Sequence, residues 1–158
     1  MMTTADIKVF KKTNFTDQKF SILIPTWNNL AYLQLCIESI KKNSFFNHQI
    51  IIHINEGTDG TKEWVEQQNF DYTISKENIG VCYALNICST LAFTDYILYM
   101  NDDMYACKNW DKFLWDEINK MPIKLFFLSA TAIEPKAQSI CSIERNFGTD
   151  IQTFDEQK

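Results

Sequence analysis

The sequence is poor in the residues that mark several large classes of protein. Arg145 is the only arginine among 158 residues and the formal net charge is −5, which excludes a general nucleic-acid binder. Only 4 glycines and 3 prolines occur, which argues against a disordered or fibrous chain. No apolar run approaches the roughly 20 residues that a transmembrane helix needs. We therefore expect a globular chain that binds no nucleic acid and has no membrane span.

Cysteine and histidine offer no framework for disulfides or zinc. The 5 cysteines are odd in number and include no CxxC pair. His48 lies in a polar loop and His53 inside an apolar run, and both are interpreted as structural. The polar N-terminus lacks the apolar core of a secretory signal. These features predict a soluble, cytoplasmic protein whose cysteines are buried free thiols.

The apolar residues that are present follow two alternating patterns. β-Branched and aromatic runs predict strands at residues 20–25, 49–54, 70–75, 95–100 and 124–130, with 138–143 a weaker candidate. The run at 70–75 is less apolar than the others and is expected near an edge of the sheet. Intervening segments carry apolar residues three and four apart, as helices packed on a sheet do. We therefore predict an α/β fold with a Rossmann-like, mostly parallel sheet flanked by helices.

The N-terminal segment differs from the rest of the chain in composition. Residues 1–19 are polar and are expected to be loosely attached. Residues 20–158 are long enough to bury a core and are expected to form a single domain.

Polar or glycine-containing loops follow four of the predicted strands. They comprise residues 25–28, 55–61, 75–80 and 101–103. Because the carboxyl ends of parallel strands lie at one edge of a sheet, the four loops should converge, and ligands bind at that edge in α/β proteins. Asp102 and Asp103 repel each other there unless a cation lies between them. The sequence therefore predicts a divalent cation that holds a diphosphate.

Several of these loop residues have chemistry suited to a nucleotide, although each also has a simpler structural role. Glu56 can accept hydrogen bonds from a base or a ribose, and Gly80 lets backbone N–H groups approach a phosphate. Trp27 lies at the rim of the predicted pocket. The simpler alternatives are a plain turn at residues 55–57, a helix cap with a tight turn at 78–80, and solvated capping residues at 102–103.

Four motifs in this order resemble those of the family 2 glycosyltransferases, which have the GT-A nucleotide-diphospho-sugar transferase fold. The resemblance runs from about Phe20 to Phe127. The motifs are Ser21-Ile-Leu-Ile-Pro-Thr-Trp-Asn28, Asn55-Glu-Gly-Thr-Asp-Gly-Thr61, Asn78-Ile-Gly-Val-Cys-Tyr-Ala-Leu-Asn86 and Tyr99-Met-Asn-Asp-Asp103. The second usually begins Asp-Asp-Gly-Ser, and the last occupies the place of the metal-binding Asp-x-Asp motif.

The resemblance implies an inverting, metal-dependent glycosyltransferase that transfers sugar from a nucleotide-diphospho-sugar, with UDP favoured, to a glycan or other acceptor. In this reading Glu56 contacts the base, Asp102 the ribose or diphosphate, and Asp103 ligates Mn²⁺ or Mg²⁺ with Asn101 beside it. The nucleotide-binding residues that it implies are Pro25, Thr26, Trp27, Asn28, Glu56, Asn78, Gly80 and Asp102. The metal would neutralise the leaving diphosphate.

The sequence also departs from the family pattern. Asn101 stands where the metal motif usually begins with Asp, and Leu85 replaces an arginine expected near the diphosphate. Residues 154–156 resemble a segment that precedes the family's acceptor-binding half and its catalytic carboxylate, so no catalytic residue is assigned. The acceptor-binding part is therefore expected to be missing or reduced, and the chain to be a fragment of a longer enzyme or a reduced relative. Self-association is a further expectation.

Two other functions are alternatives to this one, and the second of them is the less favoured. A catalytically inactive domain that binds a nucleotide sugar or serves as a scaffold needs the same donor loops. A sugar nucleotidyltransferase would need a loop rich in glycine and in arginine or lysine after the first strand, and residues 26–30 do not provide one.

Overall fold

The computed structural model describes residues 7–12 and 17–158. The chain divides into two compact units, one that ends at Asp111 and one formed by Lys112–Lys158. The first unit contains a five-stranded sheet in the order β1-β4-β3-β2-β5. Its strands are β1 (Lys8–Phe10), β2 (Ser21–Trp27), β3 (Gln49–Asn55), β4 (Asp71–Ser75) and β5 (Ile97–Tyr99). Strands β2 to β5 are parallel and β1 is antiparallel to β4, so the predicted α/β sheet is confirmed.

The helices of the first unit follow the strands and cover the sheet. They are α1 (Leu30–Asn43), α2 (Thr61–Gln67) and α3 (Val81–Ser89). Helix α1 buries Leu33, Ile37 and Ile40 along one stripe, and its last turn carries Lys41 and Lys42. Those lysines lie at the negative end of the helix dipole, where cations are favourable. The apolar spacing of the sequence thus places α1 correctly on the sheet.

The centre of the sheet is buried on both faces and has an apolar middle. Six of the seven residues of β2 and all of β3 are buried. The two strands pair in parallel from Ser21 opposite Gln49 to Trp27 opposite Asn55. Burial on both faces explains why the runs read as continuous apolar stretches instead of alternating ones. The register sets Trp27 and Asn55 side by side at the carboxyl edge.

The polar N-terminal segment contributes a strand that the sequence does not predict. Strand β1 pairs with β4, and the ring of Phe10 stacks on that of Tyr72 with centroids 4.5 Å apart. Strand β4 lies near an edge of the sheet, as predicted, but β1 is the edge strand itself. A three-residue strand flanked by lysines gives too short a pattern to recognise. The rest of the predicted segment, residues 1–6 and 13–16, lies outside the described residues.

The amino ends of the strands enclose a buried polar network. Gln49 Nε2 donates to Asp71 Oδ2 at 2.6 Å and to the Leu91 carbonyl at 2.9 Å. Ser21 Oγ donates to Gln49 Oε1 at 2.6 Å, and the Lys12 N–H donates to Asp71 Oδ1 at 2.7 Å. Each buried polar atom of this group thus meets a partner within the protein, as buried polar groups require.

The second unit has little regular structure apart from one pair of strands. Helix α4 (Trp110–Ile118) spans the division between the units, and β6 (Ala132–Glu134) pairs in parallel with β7 (Ser142–Glu144). The strand predicted at residues 124–130 does not form, and Leu125 and Phe127 are 89% and 94% exposed. An apolar run becomes a strand only where a neighbour satisfies its backbone groups. The weaker candidate at 138–143 corresponds in part to β7.

The cysteines divide into two groups. All 5 are free thiols, as expected, but only Cys36 and Cys88 are buried. Cys82, Cys107 and Cys141 are exposed, so the expectation of uniformly buried thiols is wrong. Among the described residues, no helix is long and apolar enough to cross a membrane.

Candidate functional site

The four predicted loops lie at one edge of the sheet, because they follow the carboxyl ends of four neighbouring parallel strands. Side-chain hydrogen bonds connect the loops to one another. They join the end of β2 to the loop after β5, and the end of β3 to the loops after β2 and β4. The convergence predicted from the sequence is thus present in the structure. Two of the predicted nucleotide-binding residues lie in β2 itself. Pro25 is buried within the strand, and the side chain of Trp27, the last residue of the strand, is 56% exposed.

Asp102 is held by two side chains that follow β2. The Thr26 hydroxyl donates to Asp102 Oδ2 at 2.6 Å, and the side chain of Asn29 makes a further hydrogen bond to the same carboxylate. Burial raises the pKa of Asp102, the hydrogen bonds from Thr26 and Asn29 lower it, and the charge of Asp103 raises it. The net shift is upward. Asp102 is therefore a fixed, partly buried carboxylate in a negative environment.

Glu56 is fixed at the tip of β3 by an unusual backbone and by Asn28. Both residues have positive φ, +64° for Glu56 and +47° for Asn28, which non-glycine residues adopt rarely. Asn28 Nδ2 donates to Glu56 Oε2 at 3.2 Å, while Asn28 Oδ1 accepts from the Thr58 N–H at 2.8 Å. The Glu56 N–H donates to the Ser75 carbonyl at 3.0 Å. The structure thus brings together Asn28, which follows β2, and Glu56, which follows β3.

Asp59 connects the starts of two helices below this turn. Its Oδ2 accepts from the Leu30 N–H at 2.8 Å and its Oδ1 accepts from the Thr61 N–H at 3.1 Å. Desolvation opposes the charge of Asp59, but the hydrogen bonds from Thr61 and Leu30 outweigh it and hold its pKa below the usual value. Asn29, which directly precedes α1, makes no side-chain cap. Asp59 supplies the acceptor instead, from 29 residues further along the chain.

Asn78 and Gly80 form the start of α3. Gly80 has φ +78° and nothing within 4 Å of the place where a Cβ would be. Its N–H donates to Asn78 Oδ1 at 2.9 Å. The N–H of Gly80 is therefore already engaged, and the first-turn N–H groups of α3 after it are the ones suited to a phosphate. Leu85, further along this helix, packs against the apolar core instead of facing the loops.

Asn101 and Asp103 flank Asp102 after β5. The Tyr99 hydroxyl donates to Asn101 Oδ1, and Cys36 Sγ donates to the Asn101 carbonyl at 3.6 Å. The amide oxygen of Asn101 thus has a partner, whereas Asp103 is exposed. Burial, together with the smaller effect of the charges of Asp102 and Asp103, raises the pKa of Cys36 to about 12. The two carboxylates therefore make a negative potential that reaches the core beneath them.

The donor set at this edge fits a divalent cation only in part. No group of three or more His, Cys, Asp or Glu side chains suited to a metal occurs within the described part of the chain. Asp102 and Asp103 offer hard carboxylate oxygens, and Mg²⁺ and similar ions bind through one or two carboxylates together with water and substrate phosphates. The residues present thus suit a cation that is shared with a diphosphate, and do not form a cage made of protein alone.

The aspartates near the end of the sequence, Asp150 and Asp155, belong to the second unit and accept hydrogen bonds within their own turns. Asp150 Oδ1 accepts from the N–H groups of Thr153 at 2.9 Å and Gln152 at 3.1 Å, and the Thr153 bonds lower the pKa of Asp150. Asp155 Oδ1 accepts from the Gln157 N–H at 3.0 Å. Each carboxylate thus stabilises its own turn. These contacts assign no catalytic base.

Sequence reasoning missed the side chains that connect the loops. Asn55, the last residue of β3, bonds to the loops on both sides of it, and Asn29 bonds to Asp102. Asn55 begins the second of the four motifs, and Asn29 directly follows the first. A polar residue at the final position of a buried strand is the signal that points to such a role.

The chain is similar to known proteins over most of this region. The family model for glycosyl transferase family 2 matches residues 21–141. Two glycosyltransferases of Streptococcus pneumoniae serotype 4 are similar: GlyA, 26% identical over 107 residues, and GlyG, 27% identical over 105. The matches cover 65% of this chain and 15% of GlyA, and 63% of this chain and 35% of GlyG.

Solved structures share the fold. The crystal structure of S. aureus TarS 1-349 superimposes with a TM-score of 0.58 at 24% identity, over 65% of this chain and 33% of that one. The complex of TarS 1-349 with UDP matches equally well, over 32% of its chain. The chain thus spans at most 35% of the length of any of these proteins.

Proposed function

The chain belongs to glycosyl transferase family 2, and from that premise we propose that it binds the nucleotide diphosphate of a sugar donor. The donor is a nucleotide-diphospho-sugar, with a UDP-sugar favoured, and the sugar passes to a glycan or another acceptor. The binding of UDP by a protein of the same fold supports the choice of nucleotide.

The observation that best supports this proposal is that side-chain hydrogen bonds fix the carboxylates of Asp102 and Glu56 at the carboxyl edge of the sheet. Thr26 holds Asp102, and Asn28 holds Glu56, so each acid has a fixed position before any ligand binds. Preorganised acceptors of this kind suit the hydroxyl and N–H groups of a nucleoside. In this proposal Glu56 accepts from the base, Asp102 from the ribose, and Trp27 covers the base at the rim. Pro25 sets the path of β2 into this pocket.

Asp103 and Asp102 would hold Mn²⁺ or Mg²⁺ jointly with the diphosphate. When bound, the cation neutralises the charge that develops on the leaving diphosphate. Asn101, engaged by Tyr99, contributes to the shape of the loop and is the weaker candidate as a ligand. Asn78 and Gly80 fix the start of α3, whose following N–H groups face the phosphates. The proposed transfer inverts the anomeric carbon and requires a carboxylate base that is not assigned to any residue.

A thermal-shift screen tests the proposal. UDP with Mn²⁺ at about one hundred times its Kd should raise Tm by about 5 °C or more, and Mn²⁺ alone or UDP with a chelator should raise it much less. ADP, CDP and GDP serve as matched ligands that differ only in the base. If no nucleoside diphosphate changes Tm, the donor-binding proposal is wrong.

A binding domain without transfer activity is the second candidate. The observation that favours it is the engagement of Asp150 and Asp155 in their own turns. The two candidates differ in whether UDP is released from a UDP-sugar at a rate typical of enzymes when acceptors are present. Tight UDP binding without such release supports the binding domain, and turnover supports the transferase.

A further inference from the structure

Asn55 makes two hydrogen bonds that cross the carboxyl edge of the sheet. It is the last residue of β3 and is 4% exposed. Its Nδ2 donates to the Thr26 carbonyl at 3.1 Å, and its Oδ1 accepts from the Ile79 N–H at 2.9 Å. Thr26 belongs to β2, and Ile79 belongs to the loop after β4. One side chain therefore joins the two segments that flank its own strand.

The chemistry of the two partners fixes the orientation of this amide. A backbone carbonyl can only accept and a backbone N–H can only donate, so both ends of the Asn55 amide are required. A carboxylate at this position can accept from Ile79 but cannot donate to Thr26. The motif that this segment resembles usually has Asp at position 55. An Asp at this position could donate to the Thr26 carbonyl only in its protonated form.

Each partner of Asn55 is directly connected to a group that is proposed to contact the nucleotide, Thr26 by a hydrogen bond and Ile79 by the backbone. Thr26 also donates through its hydroxyl to Asp102 at 2.6 Å. Ile79 precedes Gly80, whose carbonyl accepts from the Ala84 N–H at 3.1 Å in the first turn of α3. Asn55 itself is too buried to meet a ligand. Its two bonds therefore set the distance between the segment that holds Asp102 and the start of α3.

Given the proposed binding of UDP, we propose that Asn55 is a positioning residue that couples the nucleoside end of the site to its diphosphate end. Loss of the bond to Thr26 frees the segment that orients Asp102. Loss of the bond to Ile79 frees the start of α3. A nucleoside diphosphate spans both ends, so its affinity depends on their separation, as enzymes depend on side chains that orient ligand-binding groups.

The variant Asn55→Asp tests this proposal through a pH profile. At pH 8 the carboxylate faces the Thr26 carbonyl, and UDP binding with Mn²⁺ should be at least about tenfold weaker than in the wild type. Burial beside a carbonyl favours the protonated acid as the pH falls, and the protonated acid regains the donor. Because the buried side chain of His53 also interacts with residue 55 and can titrate, both proteins carry His53→Gln in this experiment. Titration calorimetry from pH 8 to pH 5.5 should therefore show the ratio of the Kd with Asn55→Asp to the Kd without it falling toward one.

Two further variants keep the outcome decisive. Asn55→Ala removes both bonds without adding charge, so it should weaken UDP binding at every pH, and it replaces Asn55→Asp if the latter does not fold at pH 8. Ser21→Ala removes a buried hydrogen bond to Gln49 at the amino end of the sheet. It should lower Tm but leave the Kd for UDP unchanged.

The results separate this inference from the proposed function. If the wild type binds no nucleoside diphosphate, the proposed function fails. If the wild type binds UDP and the Asn55 variants bind it equally well, the positioning role is overturned. A ratio for Asn55→Asp that stays constant with pH, or a weakening by Ser21→Ala as large as that by Asn55→Ala, also overturns it.

Discussion

The two ends of β3 use similar residues for different purposes. At the amino end, Gln49 and Asp71 share a network in which carbonyl, amide and carboxylate partners match. At the carboxyl end, Asn55 also bonds on both sides, and its partner Thr26 in turn holds Asp102, which lies beside the like charge of Asp103. The polar groups at the amino end have partners within the protein, whereas the carboxyl end places two like charges together, and the proposed function assigns a cation to them. Complementary partners therefore indicate a structural role, and repelling carboxylates indicate a ligand.

The amino end should contribute the larger share of folding stability. Asp71→Ala removes the charged acceptor of the part-buried Lys12 N–H and of Gln49 Nε2, which is left without that acceptor in a buried setting. We expect the free energy of unfolding to fall by about 4 kcal/mol in urea titrations, because hydrogen bonds to charged groups contribute strongly. The affinity for UDP should not change.

Asp95→Ala is the matched control for that change, since Asp95 is an exposed acid in the same unit. It should alter stability by less than about 0.5 kcal/mol. Similar losses in the two variants would mean that the network around Asp71 is not what stabilises the amino end.

The carboxyl end should matter most for the ligand. Asp103→Ala is expected to weaken Mn²⁺-dependent UDP binding about one hundredfold, which equals about 2.7 kcal/mol, because the cation loses a charged ligand. Stability without ligand should be unchanged or slightly higher, since Asp103 is exposed and repels Asp102. Calorimetry with UDP and Mn²⁺ measures the loss. Unchanged Mn²⁺ dependence would refute the metal role of Asp103.

The middle of β3 should make folding sensitive to pH. His53 is buried between Thr73 and Ser75, and burial lowers its pKa to about 4, against a small opposing effect of Asn55. As the pH falls below 6.5, the unfolded state takes up a proton before the folded state does. Folding should therefore weaken by about 2 kcal/mol from pH 7 to pH 5.

The variant His53→Gln isolates that effect. Its amide can still hydrogen bond, but it does not titrate, so the loss between pH 7 and pH 5 should shrink by about 2 kcal/mol. His48 keeps a loss of the same sign, because burial lowers its pKa as well. Urea titrations at the two pH values give the comparison. An equal loss in the variant and the wild type would exclude His53 as its source.

The smallest expected effect is on UDP affinity, and it comes from replacing an exposed aromatic residue near one or the other end of β3. Trp27 is 56% exposed at the carboxyl edge, and Phe45 is 61% exposed near the amino end. Trp27→Ala should weaken UDP binding about tenfold, because stacking on a base contributes on the order of 1 kcal/mol or more. Phe45→Ala should leave binding unchanged. Equal Kd values for Trp27→Ala and the wild type would remove Trp27 from the pocket.

Much of the fold was predictable because burial leaves a direct trace in the sequence. Strands β2 and β3 are buried on both faces, so their runs stand out, and the family and the α/β sheet inferred from them are confirmed. Strand β1 has three residues and pairs only with β4, which leaves no readable period. The run at 124–130 has the period but lacks a strand partner in the structure. Pairing depends on distant residues, which local patterns do not contain.

The candidate site was predictable at the level of loops and less so at the level of contacts. The order of parallel strands dictates that residues 25–28 and 101–103 meet. The hydrogen bonds of Asn55 and Asp59 depend on side-chain rotamers and on partners that only the folded chain brings near. The sequence does not distinguish these residues from the other polar residues in loops. The ligand-binding roles of the predicted residues stay predictions that the experiments above address.

The two hydrogen bonds that Asp59 accepts form a bridge between the starts of α1 and α2, and this bridge limits the substitutions that the chain tolerates. Both of its partners, at Leu30 and Thr61, are backbone N–H groups. Any residue except proline supplies such a donor, so the bridge itself excludes only proline at positions 30 and 61, although the complete burial of Thr61 limits position 61 further. Position 59 has no such freedom, because the acceptor is the side chain itself. In a library of random variants, we expect depletion of nearly every substitution at 59 and of proline above all at 30 and 61.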